Sequence, residues 1–133
     1  MNTHPTSILV IERHPMLREA LCAAIEAEEN LSVLAPFTET GGGITLSIPG
    51  QPDVIFLAHK PDIVLLAIGN PGLEDMRALQ KLHHKWHGTP ILALTSDEVP
   101  GQEQTALAHG AKAALSKSAS RSELLKTLRS LTL

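Results

Sequence analysis

The stretch PDIVLLAIGNPG, residues 61–72, decides the fold. From Ile63 to Ile68 every side chain is apolar, as a strand covered on both faces requires. Asn70, Pro71 and Gly72 then turn the chain, and GLEDMRALQKLHHKWHG (72–88) has the spacing of an amphipathic helix. Leu73, Met76, Leu79 and Leu82 mark its inward face, and Gly88 its stop. A buried strand running through a tight turn into a helix is half of a parallel crossover. Turns of this kind often carry a site, yet the strand's tip holds Ala67, Ile68 and Gly69, with nothing that titrates, ligates or attacks.

The same alternation extends both ways. Upstream, SILVI (7–11) reads as a buried strand, and HPMLREALCAAIEAEE (14–29) as a helix with Pro15 in its first turn. Leu17, Leu21, Ala24 and Ile25 share its inward face, and Asn30 can end it. LSVLAPF (31–37) is a second strand, with Pro36 placing it at an edge or cutting it short. Downstream come a strand in PILALTS (90–96), a helix in GQEQTALAHG (101–110), a short strand in AKAALSK (111–117) and a helix in SRSELLKTLRSL (120–131). Ser120 with Glu123 makes a possible capping box. Residues 38–60 are atypical and rich in Gly and Pro. ITLSI can be a short extra strand, and PDVIFLAHK (52–60) a short helix with proline in its first turn. PDVIFLA nearly repeats PDIVLLA, but one local echo does not make a repeat protein.

Length and composition bound the rest. The 133 residues suit one domain, 1–133, with residues 1–6 as a flexible tail. Apolar residues are 43% and charged residues 19%, ordinary for a soluble globular chain, while aromatics at 2% require an aliphatic core. A formal charge of −3 and the lack of a basic segment argue against a surface that reads nucleic acid or binds anionic membrane. One cysteine, Cys22, forbids an internal disulfide and reads as a small hydrophobe. No apolar run approaches the ~20 residues of a membrane span, and MNTHPTS is not a signal peptide, so a cytoplasmic protein is the default expectation.

Strands alternating with helices predict a parallel sheet with helices on both faces, whose sites form at the strands' carboxyl ends. Those ends are Glu12–Arg13, Ala67–Gly69, Thr95–Ser96 and Ser116–Lys117. Together with HPMLREAL, PDIVLLAIGNPGLEDMRAL, TPILALTS and GAKAALSKSAS, they resemble the receiver domains of response regulators, in the LuxR/NarL-type subgroup. The resemblance covers most of residues 7–131 and is weakest at 40–60. It implies a flavodoxin-like (βα)₅ doubly wound sheet with strand order 2-1-3-4-5.

By that resemblance, an acidic pair after the first strand holds Mg²⁺ and an aspartate after the third takes the phosphoryl group. A hydroxyl after the fourth and a lysine after the fifth bind its oxygens, and an aromatic residue in the fifth reports the switch. These positions hold Glu12 and Arg13, Ala67, Thr95, Lys117 and Ala114 respectively. Thr95 and Lys117 match. Alanine has no nucleophile, Arg13 puts a cation where a dication would bind, and Ala114 cannot report as an aromatic ring does. The expectation is therefore a pseudo-receiver without cofactor, its Mg²⁺ binding lost, and not an enzyme. Asp62 lies at the far end of its strand, roughly 16 Å away, and Glu74 and Asp75 read as acids favouring a helix N-terminus.

Two readings of the residual pocket stay open: a salt bridge of Lys117 or Arg13 with Glu12 that fixes the loops, or a basic pocket for an anion or small molecule. HHKWH offers His83 with His87, or His84 with His87, as a metal pair, against a solvated helix end. Trp86 reads as half-buried, His14 as a loop-packing residue, and SDEVPGQEQ (96–104) as a solvated turn. The functional expectation is a phosphorylation-independent regulatory module acting on a protein partner or as a homodimer. Any DNA contact would need a separate output domain, and no membrane is involved. The resemblance allows it to be the regulatory part of a LuxR-type transcriptional regulator.

Overall fold

The computed structural model describes residues 5–34, 44–46, 55–57 and 60–132, with 44–46 and 55–57 described as backbone only. Strand β1 (Thr6–Ile11) leads into helix α1 (Pro15–Glu26) and strand β2 (Leu31–Val33). Two short strands follow, β3 (Ile44–Leu46) and β4 (Ile55–Leu57), then β5 (Ile63–Ala67), α2 (Leu73–Lys85) and β6 (Ile91–Thr95). Helix α3 (Gln102–Ala108), strand β7 (Ala113–Ser116) and helix α4 (Arg121–Ser130) complete the chain. Five strands form one parallel sheet in the order β2-β1-β5-β6-β7, so the expected order 2-1-3-4-5 holds.

Among the described residues, four helices accompany the sheet. The helix expected over 52–60 is corrected at Ile55–Leu57, which forms β4 and pairs antiparallel with β3. Ile55 and Phe56 favour extended backbone, and the nearby prolines deny a helix its length. The strand expected in ITLSI is β3. The rest of the atypical region, the tail residues 1–4, and the strand expected to extend through 35–37 lie outside the described residues. Thr6, assigned to the tail, pairs with Leu31 in β1.

β5 is the centre of the molecule, and all five of its residues are buried. Its side chains alternate between two separate cores, because successive strand residues face opposite ways. Val64 and Leu66 join Met76, Leu79 and Leu82 of α2 and Ala106 of α3. Ile63, Leu65 and Ala67 join Leu21 and Ile25 of α1 and Leu124, Leu125 and Leu128 of α4. Each fully buried Leu or Ile contributes about 1.5–3 kcal/mol, so a core that is almost wholly aliphatic suffices.

The helix ends follow their sequence. Pro15 starts α1 after His14, and Ser120 Oγ accepts from the Glu123 N–H to cap α4. The Glu123 carboxylate lies 3.5 Å from the Ser120 hydroxyl, so it is the Ser120 half of the expected box that the structure forms. Two burial expectations change. Leu73 is 69% exposed, because it opens α2 immediately after Gly72 and stands beyond the sheet that Met76, Leu79 and Leu82 cover. Trp86 is 3% exposed, a full core residue at the end of α2. Cys22 is half-buried, and its burial pushes the thiol pKa up.

Candidate functional site

The parallel register brings the expected site residues to one edge of the sheet. Ile11 pairs with Leu66, Ala67 with Leu94, and Thr95 with Ser116, so Glu12, Ala67, Thr95 and Lys117 end their strands side by side. Ala114 lies further back, paired with Ala93 and packed against the α2 and α3 core. Asp62 is at the opposite edge, where its carboxylate accepts from the Ser7 N–H at 2.9 Å.

Glu12 is 3% exposed. Its Oε1 accepts from the His14 N–H at 2.9 Å and lies 2.7 Å from His14 Nδ1. Arg18 donates to the Glu12 carbonyl at 3.3 Å. His14 therefore holds the first loop in place, as its expected packing role requires.

Arg13 does not stand as a surplus cation. Its guanidinium pairs with Asp75, a residue 3% exposed whose second oxygen accepts from the Gly69 N–H at 2.8 Å. The acid read as serving only the helix N-terminus thus reaches back over the end of β5 and holds both the Arg13 loop and the Gly69 turn. Of the two readings of the pocket, the loop-fixing salt bridge is the one Arg13 enters, with Asp75 as its acid. The loss of Arg13 to that pair weakens the anion-pocket reading.

Thr95 is 2% exposed, and its hydroxyl donates to the Leu115 carbonyl at 3.4 Å. Lys117 is half-buried, its N–H donating to the Thr95 carbonyl at 2.9 Å. On either side of it, Ser116 Oγ donates to Asp97 Oδ1 at 2.7 Å and Ser118 Oγ to Asp97 Oδ2 at 2.6 Å. The bonds from Ser118 and then Ser116 pull the Asp97 pKa below the ordinary carboxylate value.

Gln102 completes the rim. Its amide is 3% exposed, accepts from the Ser96 N–H at 2.6 Å, and donates to the Gly69 and Pro71 carbonyls at 2.8 and 3.4 Å. One side chain thus ties the β5–α2 turn to the β6–α3 turn. The close fit leaves no room at Gly72: its φ is +82°, and a Cβ there would lie 2.6 Å from the Gly69 carbonyl oxygen.

Sequence reasoning missed Asp75, Asp97 and Gln102 as members of this edge. The first had a sufficient local explanation, and the other two sat in a turn read as solvated. Among the described residues no group of three or more His, Cys, Asp or Glu side chains is placed to hold a metal ion. No helix among them is long and apolar enough to cross a membrane.

A family model for the response regulator receiver domain matches residues 8–129. The chain belongs to the response regulator receiver family. It is 29% identical over 127 residues to the nitrate/nitrite response regulator protein NarL of Escherichia coli, covering 96% of this chain and 55% of that protein. It is 32% identical over 125 residues to the transcriptional regulatory protein DesR of Bacillus subtilis, covering 93% of this chain and 57% of DesR. The receiver-like chain thus spans a little over half the length of the relatives it matches. Among solved structures, a DNA-binding response regulator of the LuxR family from Staphylococcus aureus superposes with a TM-score of 0.70 at 21% identity, covering 96% of this chain and 99% of that one. A CheY-like receiver domain from Methanospirillum hungatei does so with 0.68 at 16%, covering 95% and 92%. Both share the fold, and the LuxR/NarL-type affiliation expected from sequence is the one the relatives carry. As receivers are signalling domains, two-component signalling is the setting.

Proposed function

We propose that this receiver domain signals without phosphorylation, through contact with a protein partner or a second copy of itself. Ala67 carries the reading. The residue ending the central strand, where the family's resemblance puts the attacking aspartate, offers only a methyl group. A displacement at phosphorus needs a nucleophile, and alanine supplies none. The nearby carboxylates do not replace it. Asp75 is buried and held by Arg13 and the Gly69 N–H, and Glu12 is turned toward His14.

Mg²⁺ binding is lost in the same reading. The ion needs several oxygen ligands in near-octahedral order, and the Arg13 guanidinium takes up the buried Asp75 carboxylate at this edge. The Arg13–Asp75 pair, the Gln102 bridge and the Asp97 latch then act as fixed struts, so the rim presents one constant surface. As part of a longer regulator of the LuxR type, such a domain would hand that surface to an output domain on the same chain, and DNA contact would belong to that domain.

Acetyl phosphate with Mg²⁺ tests the proposal. Intact-mass measurement should show no added phosphoryl group, and light scattering should give the same molar mass with and without both additions. A base-labile adduct of one phosphoryl group per chain would overturn it.

A further inference from the structure

At the other edge of the sheet, away from the rim, we propose that His83 and His87 bind a divalent transition metal of the imidazole-preferring class, Cu²⁺ or Zn²⁺. His83 lies in the last turn of α2 and His87 in the turn that follows Lys85, and their ring centroids are 5.5 Å apart. A metal–nitrogen distance of about 2.0–2.1 Å puts each imidazole centroid roughly 3.2 Å from a shared ion. At tetrahedral or square-planar angles the two centroids then lie about 4.5–5.2 Å apart. Side-chain rotation of about 0.3 Å at tetrahedral angles, or about 1 Å at square-planar ones, closes the difference.

One of the two rings is already held. His83 packs on Gly110, where a Cβ would lie 2.6 Å from its Cγ, and Gly110 has a φ of +118°. His87 is exposed and free to swing onto the ion. Both line a groove of about 560 Å³ with Thr89, Lys112 and Leu131 on its other walls, which leaves room for water or an added ligand on the ion. Carbonyls at the end of α2 favour a cation there. With two protein ligands and no third histidine, cysteine or carboxylate placed beside them among the described residues, the site is open in coordination. Imidazole pairs of this kind bind Cu²⁺ more tightly than Zn²⁺.

Trp86, the chain's single tryptophan, is buried between these two histidines in sequence, so it reports the site. The experiment titrates the 133-residue chain with Cu²⁺ in a buffer that does not chelate and follows Trp86 emission. Quenching should saturate at one equivalent, reverse with a chelator, and be competed by excess Zn²⁺. His87→Gln and His83→Gln should each weaken it at least about tenfold, in the range for disturbed metal ligation. His84→Gln should leave it unchanged. His87 is exposed, so its variant keeps the fold, and circular dichroism checks this. Quenching that persists in both variants, or that is lost with His84→Gln while surviving His83→Gln, overturns the proposal.

Discussion

Replacing Arg13 by methionine keeps most of the aliphatic stem and removes the charge that faces Asp75. Removing one partner of a fully buried ion pair costs about 3–5 kcal/mol, because a bare charge is left behind. Exposed pairs contribute about 0.2–1 kcal/mol. This pair is mixed: the Asp75 side chain is 4% exposed and that of Arg13 is 39%. Water already screens the guanidinium, while the carboxylate keeps one donor from Gly69. Arg13→Met should therefore destabilise the fold by about 1.5–2.5 kcal/mol, between those limits. Asp75→Asn retains an acceptor for the Gly69 N–H and isolates the charge. The double variant should lose less than the sum of the singles by about 1–2 kcal/mol, the range for residues in direct contact. Urea denaturation followed by circular dichroism gives all four stabilities on one scale. A coupling within about 0.3 kcal/mol of zero, the error of additivity for distant sites, would refute the claim that this pair fixes the rim.

Other expectations follow from the same edge and its surroundings. Gln102→Ala strands the Ser96 N–H and the Gly69 carbonyl; at about 1 kcal/mol for each lost bond, plus a small cavity, it should cost about 2–3 kcal/mol. A thermal melt should show this as a fall of roughly 6–15 °C, and a fall under about 2 °C would contradict the bridge. Asp97 has a lowered pKa in the folded chain, so its stabilisation is present above about pH 4 and is lost as pH falls through the folded value. Asp97→Asn should flatten that acid-side loss in stability measured from pH 5 downward, and an unchanged slope would exclude the latch. The Cys22 pKa is raised first by burial, with Arg18 opposing and Glu26 adding, so its reaction with a disulfide reagent should accelerate only above the ordinary thiol range. A rate already at plateau near pH 7 would show a different environment.

What the sequence made legible was whatever rested on period and position. Residues 63–68 and 91–94 are continuous apolar runs that a doubly covered strand accommodates, and they sit where expected. The edge of the sheet was legible too, because parallel strands align their ends and so bring Glu12, Ala67, Thr95 and Lys117 together. Partnership across loops was not. An acid at the third position of a helix is satisfied by the dipole, so Asp75 gave no sign of reaching Arg13, 62 residues earlier. Gln102, in a polar stretch after Gly101, looks like any solvated glutamine until the folded turns enclose it. Trp86 was misplaced because a helix end flanked by three histidines and a lysine looks wet, although the last turn still faces the core. The helix expected over 52–60 failed for a local reason: Ile55–Leu57 carry strand-forming side chains in a segment too short to commit to either form.

The sheet also divides the interior. Leu65 and Leu66 are adjacent in β5, yet each packs in a different core with helices the other never meets. Substitutions at these neighbours should behave as strangers, their costs adding. The face under α1 and α4 can accordingly drift in sequence toward a new partner while the α2 and α3 face is left untouched. A domain whose rim is held fixed by its own side chains still has half an interior in which to change.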